Sequence, residues 1–373
     1  MKISQITYTG FGGLGSVVFS LLTADAGRQH EWFIGFIGDQ PLDTSYLQRC
    51  QDHCVSFAVF QSSSGKPFRA WSSLARWLGQ NRPDVVICHS INAILPCFWY
   101  ARSYGARLLA VEHTPNHVKT RNDWVFSRLA MLLADRVVVL TDEYREELQK
   151  VHGWLYRCSK VFVVPNGIDT MVFRPAEEPS PEQMGQNRTL KIGMAARFSF
   201  SKRQDLLVAV LERLAVLRPE LVVQLRFAGD GTEMKRVQAL AQASSVGPRI
   251  SFDGLLSEEA MAVWLRELTI YVHATEGETL STSLLQAMAT GLPIVASDVN
   301  GVNNLLGNGR ALGATVANTA DDFAIAILEL ADNPVWLAAC ASHGREKAIA
   351  HYGNEKMLSK YLDVLRPSAE TNC

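Results

Sequence analysis

Short apolar runs rich in β-branched residues recur along the whole chain, each separated from the next by a longer segment with helical periodicity. Ile3–Tyr8, Trp32–Ile37, Val85–Cys88, Leu108–Val111, Val137–Leu140 and Val161–Val164 form one series, with segments such as Pro67–Leu78 and Asp142–Val151 between its members. A second series follows Lys191: Ile192–Ala195, Val222–Phe227, Ile250–Phe252, Ile270–His273, Ile294–Ala296 and Ala314–Val316. Strands that alternate with helices build parallel sheets, since each crossover must carry the chain back to the same edge. The expectation is an α/β protein of two Rossmann-like doubly wound domains facing across a cleft, with ligands at the C-terminal ends of the strands. Between the series lies Pro175–Arg188, polar and holding three prolines and three glutamates, which reads as a linker. His343–Leu365 is strongly helical and can pack on either half.

The 373 residues suit two such domains, and 47% hydrophobic against 20% charged residues is enough for a sizeable core. A net charge of −1 offers no basic stripe, so no nucleic acid is expected as a partner. Cys50, Cys54, Cys88, Cys97, Cys158, Cys340 and Cys373 are scattered and odd in number, which reads as reduced, buried thiols in a cytosolic protein. Cys50 and Cys54 have no second pair at zinc spacing, so no metal is expected there. The N-terminus lacks the apolar core of a signal peptide, and no apolar run reaches the ~18 residues of a membrane-spanning helix. The expected location is the cytoplasm, free or seated on the inner face of a membrane.

Residues 276–298, EGETLSTSLLQAMATGLPIVASD, carry the most chemistry. Glu276 and Glu278 stand in a hydroxyl-rich loop before a short apolar helix that Ser281 or Thr282 can cap. A carboxylate can hold sugar hydroxyls, and a helix start offers free N–H groups to phosphate. The stretch from Thr279 and Leu280 to Ser281 and Thr282 is therefore a candidate donor site. Arg197 follows a strand and Lys202 precedes a helix, where two cations suit a diphosphate; solvated surface charge is the bland alternative. GFGGLGS (10–16) spaces Gly10, Gly12 and Gly15 like a dinucleotide fingerprint but lacks a well-placed acid about 20 residues on. Asp253 and Gly254 end another strand, where backbone groups can meet a base. His89 and His113 lie at strand ends on one sheet edge. The segment 119–128 mixes cations with aromatics, reading as an amphipathic surface helix or, less simply, as a contact for a membrane or an acidic acceptor.

In order along the chain, GGLGS (12–16), VPNGIDTMVFRP (164–175), Arg197 to Lys202, AGDG (228–231), FDG (252–254) and 276–298 resemble the retaining glycosyltransferases of family 4, with the GT-B fold. The resemblance implies an acceptor-binding domain over 1–170, a linker at 171–189, a nucleotide-sugar-binding domain over 190–351, and a last helix, about 352–373, packing back on the first domain. It implies that Arg197 and Lys202 grip the donor diphosphate, that Glu278 holds the transferred sugar, that His113 lies near the reacting sugar and that Gly12 and Gly13 approach phosphate. The family places a second glutamate eight positions after the first, on the ribose; here that place holds Gln286, without the carboxylate's charge. The activity so implied is metal-independent, cofactor-free transfer, with retention, from a nucleotide-sugar to a glycan or lipid-linked acceptor in surface polysaccharide or glycoconjugate synthesis. The rivals are a donor-processing GT-B enzyme of epimerase or phosphorylase type, a non-catalytic nucleotide-sugar-binding protein, and, more distantly, an NAD-linked oxidoreductase.

Overall fold

The computed structural model describes residues 1–366 except 11–12, 26, 63–66, 115, 117–118, 177–188 and 308–309. The chain divides into two compact units, Met1–Gly167 with the segment from Asn354 onward, and Ile168–Gly353.

The first unit is built on seven strands: β1 Lys2–Tyr8, β2 Glu31–Gly38, β3 Ser56–Gln61, β4 Val85–Cys88, β5 Arg107–Glu112, β6 Arg136–Val139 and β7 Val161–Val163. They lie in the order β3-β2-β1-β4-β5-β6-β7, every pairing parallel. The strand order reverses between β1 and β4. The inner strands are buried on both faces, which is why most of them read as apolar runs, β1 with its buried Ser4, Gln5 and Thr7 being the exception. β3, absent from the expected series although Phe57–Phe60 is an apolar run, is an edge strand with only Phe60 of its six residues buried.

The second unit has six parallel strands: β8 Leu190–Ala195, β9 Val223–Ala228, β10 Ile250–Gly254, β11 Ile270–His273, β12 Ile294–Ser297 and β13 Gly313–Val316, in the order β10-β9-β8-β11-β12-β13. Its reversal falls between β8 and β11. One apolar cluster, including Ile192, Leu207, Leu211, Phe227, Val272 and Phe323, fills the space between sheet and helices.

The helical segment 343–365 comprises the end of one helix, Pro334–Tyr352, and a last helix, Asn354–Leu365, that starts close to the expected 352. Gly353 between them takes an extended conformation (φ −63°, ψ 143°), which ends the first helix, and the chain leaves the second unit there. The last helix buries Met357, Leu358, Tyr361, Val364 and Leu365 in the core of the first unit. Gly167 is needed at that join: a Cβ there would meet Asn354 Cα at 2.8 Å. The segment after Gly167 is docked on the second unit, with Phe173 buried and Arg345 donating to the carbonyls of Thr170 and Phe173.

Cys50, Cys88, Cys97 and Cys340 are buried free thiols, as expected, but Cys54 is exposed and Cys158 is disulfide-bonded. Among the described residues no single helix is long and apolar enough to cross a membrane.

Candidate active site

In the second unit the reversal point gathers most of the expected residues. The loop after β8 carries Arg197 and Lys202, and the loop after β11 carries Glu276 and Glu278. β8 and β11 are hydrogen-bonded neighbours, so two loops some 76 residues apart in sequence meet at the C-terminal edge. The β11 loop is pinned from below: Glu276 N donates to Ser201 O at 2.9 Å, Thr275 N to Ser297 Oγ at 2.8 Å, and Asn318 Nδ2 to Thr275 O at 2.9 Å.

Lys202 Nζ pairs with Glu278 Oε2, and His273 Nε2 lies 3.2 Å from the same oxygen. All three side chains are largely buried. Burial by itself would raise the Glu278 pKa, but the Lys202 charge and the His273 hydrogen bond outweigh it and hold the carboxyl down at about 2. Glu278 is therefore ionised at neutral pH and can only accept, so His273 carries its hydrogen on Nε2. Burial lowers the His273 pKa, which keeps that ring neutral. Both contacts fall on Oε2, and no described residue hydrogen-bonds Oε1, which leaves that oxygen for a ligand. Lys202 has three N–H donors and spends one on Glu278. Glu276 instead pairs with Arg203, farther out.

Thr279, Leu280 and Ser281 are buried behind this loop, and Ser281 Oγ accepts from Leu284 N at 3.4 Å, capping the helix Thr282–Ala289. Gln286 is half-buried one turn further along. Gly301, at the start of the helix Asn300–Leu306, closes on the loop so tightly that a Cβ would lie 2.0 Å from Glu278 O. Arg197 is exposed, and its carbonyl accepts from Gln204 Nε2 at 3.1 Å.

Asp253 does structural service: its carboxylate accepts from Arg226 Nε at 3.0 Å and Trp264 Nε1 at 2.7 Å, at a bulge where β10 slips register against β9. Gly254, at φ +69°, accepts from Gly229 N at 2.7 Å. Gly229 and Gly231 are required beside it, since a Cβ at either would lie about 2 Å from the carbonyl of Ala196 or Phe198.

In the first unit, Gly12 lies outside the described residues, and Gly13 opens the helix Gly13–Ala24 at the end of β1. His113 follows β5, with Nε2 3.0 Å from His89 Nδ1. The amphipathic surface helix expected in the segment 119–128 is present from Arg121, but one cation of the segment is turned inward. The helix Arg121–Leu133 does expose Arg121 and Arg128, but Lys119 is fully buried against Glu112 at 2.9 Å and stands over the rings of Trp124 and Tyr144.

Sequence reasoning missed His273 and Gln5. His273 ends the otherwise apolar strand Ile270–His273, a legible signal, whereas Gln5 lies beside Ser4 in a strand that also holds Thr7, so it does not stand out. No group of three or more His, Cys, Asp or Glu side chains among the described residues is placed to hold a metal ion.

Two doubly wound parallel sheets, each reversing where the candidate residues collect, define a GT-B protein. The family model described as Glycosyltransferase Family 4 matches residues 11–172, and that described as Glycosyl transferases group 1 matches residues 189–333. The chain belongs to this glycosyltransferase family. It is 29% identical over 210 residues to D-inositol 3-phosphate glycosyltransferase of Kribbella flavida, an alignment that covers 54% of this chain and 49% of that one. It is 27% identical over 292 residues to alpha-maltose-1-phosphate synthase of Mycolicibacterium smegmatis, covering 75% and 69%. The chain thus spans about half the length of the first of these relatives. Among solved structures it resembles Anabaena HepE in complex with UDP and glucose, with a TM-score of 0.81, 18% identity, and 98% and 99% of the two chains covered.

Proposed function

We propose that this protein transfers a sugar, with retention and without a metal, from a nucleotide-sugar donor held by the second unit to a hydroxyl of a glycan or lipid-linked acceptor held by the first. The observation that carries the reading is the Lys202–Glu278–His273 cluster at the reversal point of the second sheet. It presents an ionised carboxylate with one free oxygen beside an ammonium with donors to spare, one for sugar hydroxyls and the other for phosphate. The names of the relatives and of HepE, crystallised with UDP and glucose, agree with a donor of this class.

When the sugar leaves, charge develops on the β-phosphate of the nucleoside diphosphate. Lys202, Arg197 and the free N–H groups at the start of Thr282–Ala289 would stabilise it, which is the task a metal performs elsewhere. Thr279, Leu280, Ser281 and Thr282 frame the phosphate with main chain. Gln286 stands where the ribose would be held, with one neutral hydrogen bond in place of a carboxylate's stronger one. The setting proposed is the cytoplasm or the inner face of a membrane, in surface polysaccharide or glycoconjugate synthesis.

The test begins with a thermal-shift panel of nucleotide-sugars, since a donor that binds only the native state raises apparent stability. With the donor so found, Arg197→Ala and Lys202→Ala should each lower transfer by ~10²–10³ without unfolding the protein, and wild-type transfer should survive EDTA. Full activity in both variants, or a strict metal requirement, would defeat the reading.

A further inference from the structure

Three polar side chains from adjacent strands meet at the reversal point of the first sheet. Gln5 lies within β1, His89 directly after β4 and His113 directly after β5, and β4 pairs with both other strands. Gln5 and His89 are buried. Gln5 Nε2 is 3.0 Å from Val18 O, Gln5 Oε1 is 3.0 Å from His89 Nε2, and His89 Nδ1 is 3.0 Å from His113 Nε2.

These contacts fix where each hydrogen lies. A backbone carbonyl can only accept, so the Gln5 nitrogen must face Val18 and its oxygen must face His89. An amide oxygen can only accept, so His89 carries its hydrogen on Nε2 and, as a neutral ring, has a bare Nδ1. His113 must then donate from Nε2. That leaves His113 Nδ1 with a lone pair and no hydrogen, and no described residue meets it. Burial favours the neutral form of both rings: it pulls His89 well below the ordinary histidine value, with the nearby His113 adding to the effect, and it pulls His113 down to about 4.

We propose that Gln5 and His89 are positioning residues that hold His113 as a neutral imidazole with its hydrogen on Nε2, so that His113 Nδ1 is an acceptor for a substrate hydroxyl. The chemistry is selective. Such a nitrogen takes a hydrogen bond from a sugar or lipid-glycan hydroxyl and has nothing to donate to a phosphate oxygen. A ring whose pKa is so depressed orients that hydroxyl but does not take its proton. The hydroxyl ligand rests on the sugar-transfer reading; the tautomer does not.

The experiment is ¹⁵N NMR of the imidazole nitrogens in the full-length, histidine-labelled protein at neutral pH, with His89→Asn and His113→Asn spectra assigning the two rings. The expected result is both rings neutral, each with its hydrogen on Nε2. A hydrogen on His113 Nδ1, alone or in a doubly protonated ring, overturns the proposal. Gln5→Leu removes the acceptor that sets the relay, and His113 should pass from one tautomer to a mixture. An unchanged tautomer in folded Gln5→Leu protein would also overturn it, and if that variant does not fold, the wild-type spectrum still decides. In the transfer assay Gln5→Leu should lower kcat/KM by about three- to tenfold, the worth of one neutral hydrogen bond; an unchanged kcat/KM in folded protein with a mixed tautomer would count against the role. The predicted tautomers in a protein that transfers no sugar would support the relay while refuting the function.

Discussion

Replacing Glu278 with Gln keeps the side chain's shape and removes its charge, and the cost should depend on pH in a way the site dictates. The carboxyl falls from an ordinary 4.5 to about 2 in the folded protein. At about 1.4 kcal/mol per factor of ten, the ionised group is worth about 3 kcal/mol to folding. About 15% of the Glu278 side chain and 18% of Lys202 remain exposed, so about 2–3 kcal/mol is the better figure after screening. The sign follows from the direction of the shift: a depressed carboxyl stabilises above its unfolded value and loses that stabilisation as pH falls toward its folded value. Glu278→Gln should therefore be less stable than wild type by about 2–3 kcal/mol at neutral pH, with the gap about two-fifths smaller at about pH 3.5. Hydrogen exchange of the β8, β9 and β11 amides reports the second unit by itself and avoids treating both units as one transition. The same variant should lose about 10- to 100-fold in kcat/KM, the worth of a charge-assisted hydrogen bond. A gap that stays constant between neutral and acid pH, or no gap at all, would refute the claim that Lys202 and His273 hold Glu278 ionised.

Three further outcomes are expected. Lys119→Met strands the buried Glu112 carboxylate, left among the described residues with a 3.3 Å contact from Tyr144, and should cost about 3–5 kcal/mol in urea unfolding of the first unit; a loss under about 1 kcal/mol would contradict the buried pair. Gly301→Ala puts a methyl 2.0 Å from Glu278 O, so the helix behind the loop must shift; a stability loss of about 1–3 kcal/mol should come with weaker donor binding by calorimetry, and unchanged binding would separate the loop from the donor. Gln286→Glu restores a carboxylate and should tighten nucleoside diphosphate binding by about fivefold to tenfold, the difference between a neutral and a charge-assisted hydrogen bond; no change would mean that position 286 does not meet the ribose.

Most strands were legible because parallel strands buried on both faces are mostly apolar, although β1 carries buried Ser4, Gln5 and Thr7. Val85–Cys88 and Ile270–His273 have the bounds expected, and most others differ by a residue or two. The departures differ in kind. β3, a half-exposed edge strand, was overlooked although Phe57–Phe60 is an apolar run. The start of the last helix falls within two residues of the expected 352, while the helix before it, Pro334–Tyr352, begins nine residues ahead of the helical segment read from the sequence. Lys119 read as a surface charge because sequence shows a cation among aromatics but not that Glu112, Trp124 and Tyr144 close around it.

Candidate positions could be found one loop at a time, but their partnerships depend on strand order, which alternation does not supply. Lys202 and Glu278 were assigned separate tasks, one on phosphate and one on sugar. Because β8 lies beside β11, they form one charged unit, with His273 as its third member. The consequence is measurable. If the two acted independently, the stability losses of Lys202→Met and Glu278→Gln would add. As a unit, each single change leaves the other group badly placed, a largely buried carboxylate in one case and an unpaired ammonium in the other, while the double change leaves neither charge behind. The double variant should therefore cost less in stability than the two singles together, by roughly 1–3 kcal/mol of coupling, while transfer remains as low as in the worse single variant. Additive stability losses would show that the pair seen here is not a working part of the folded protein.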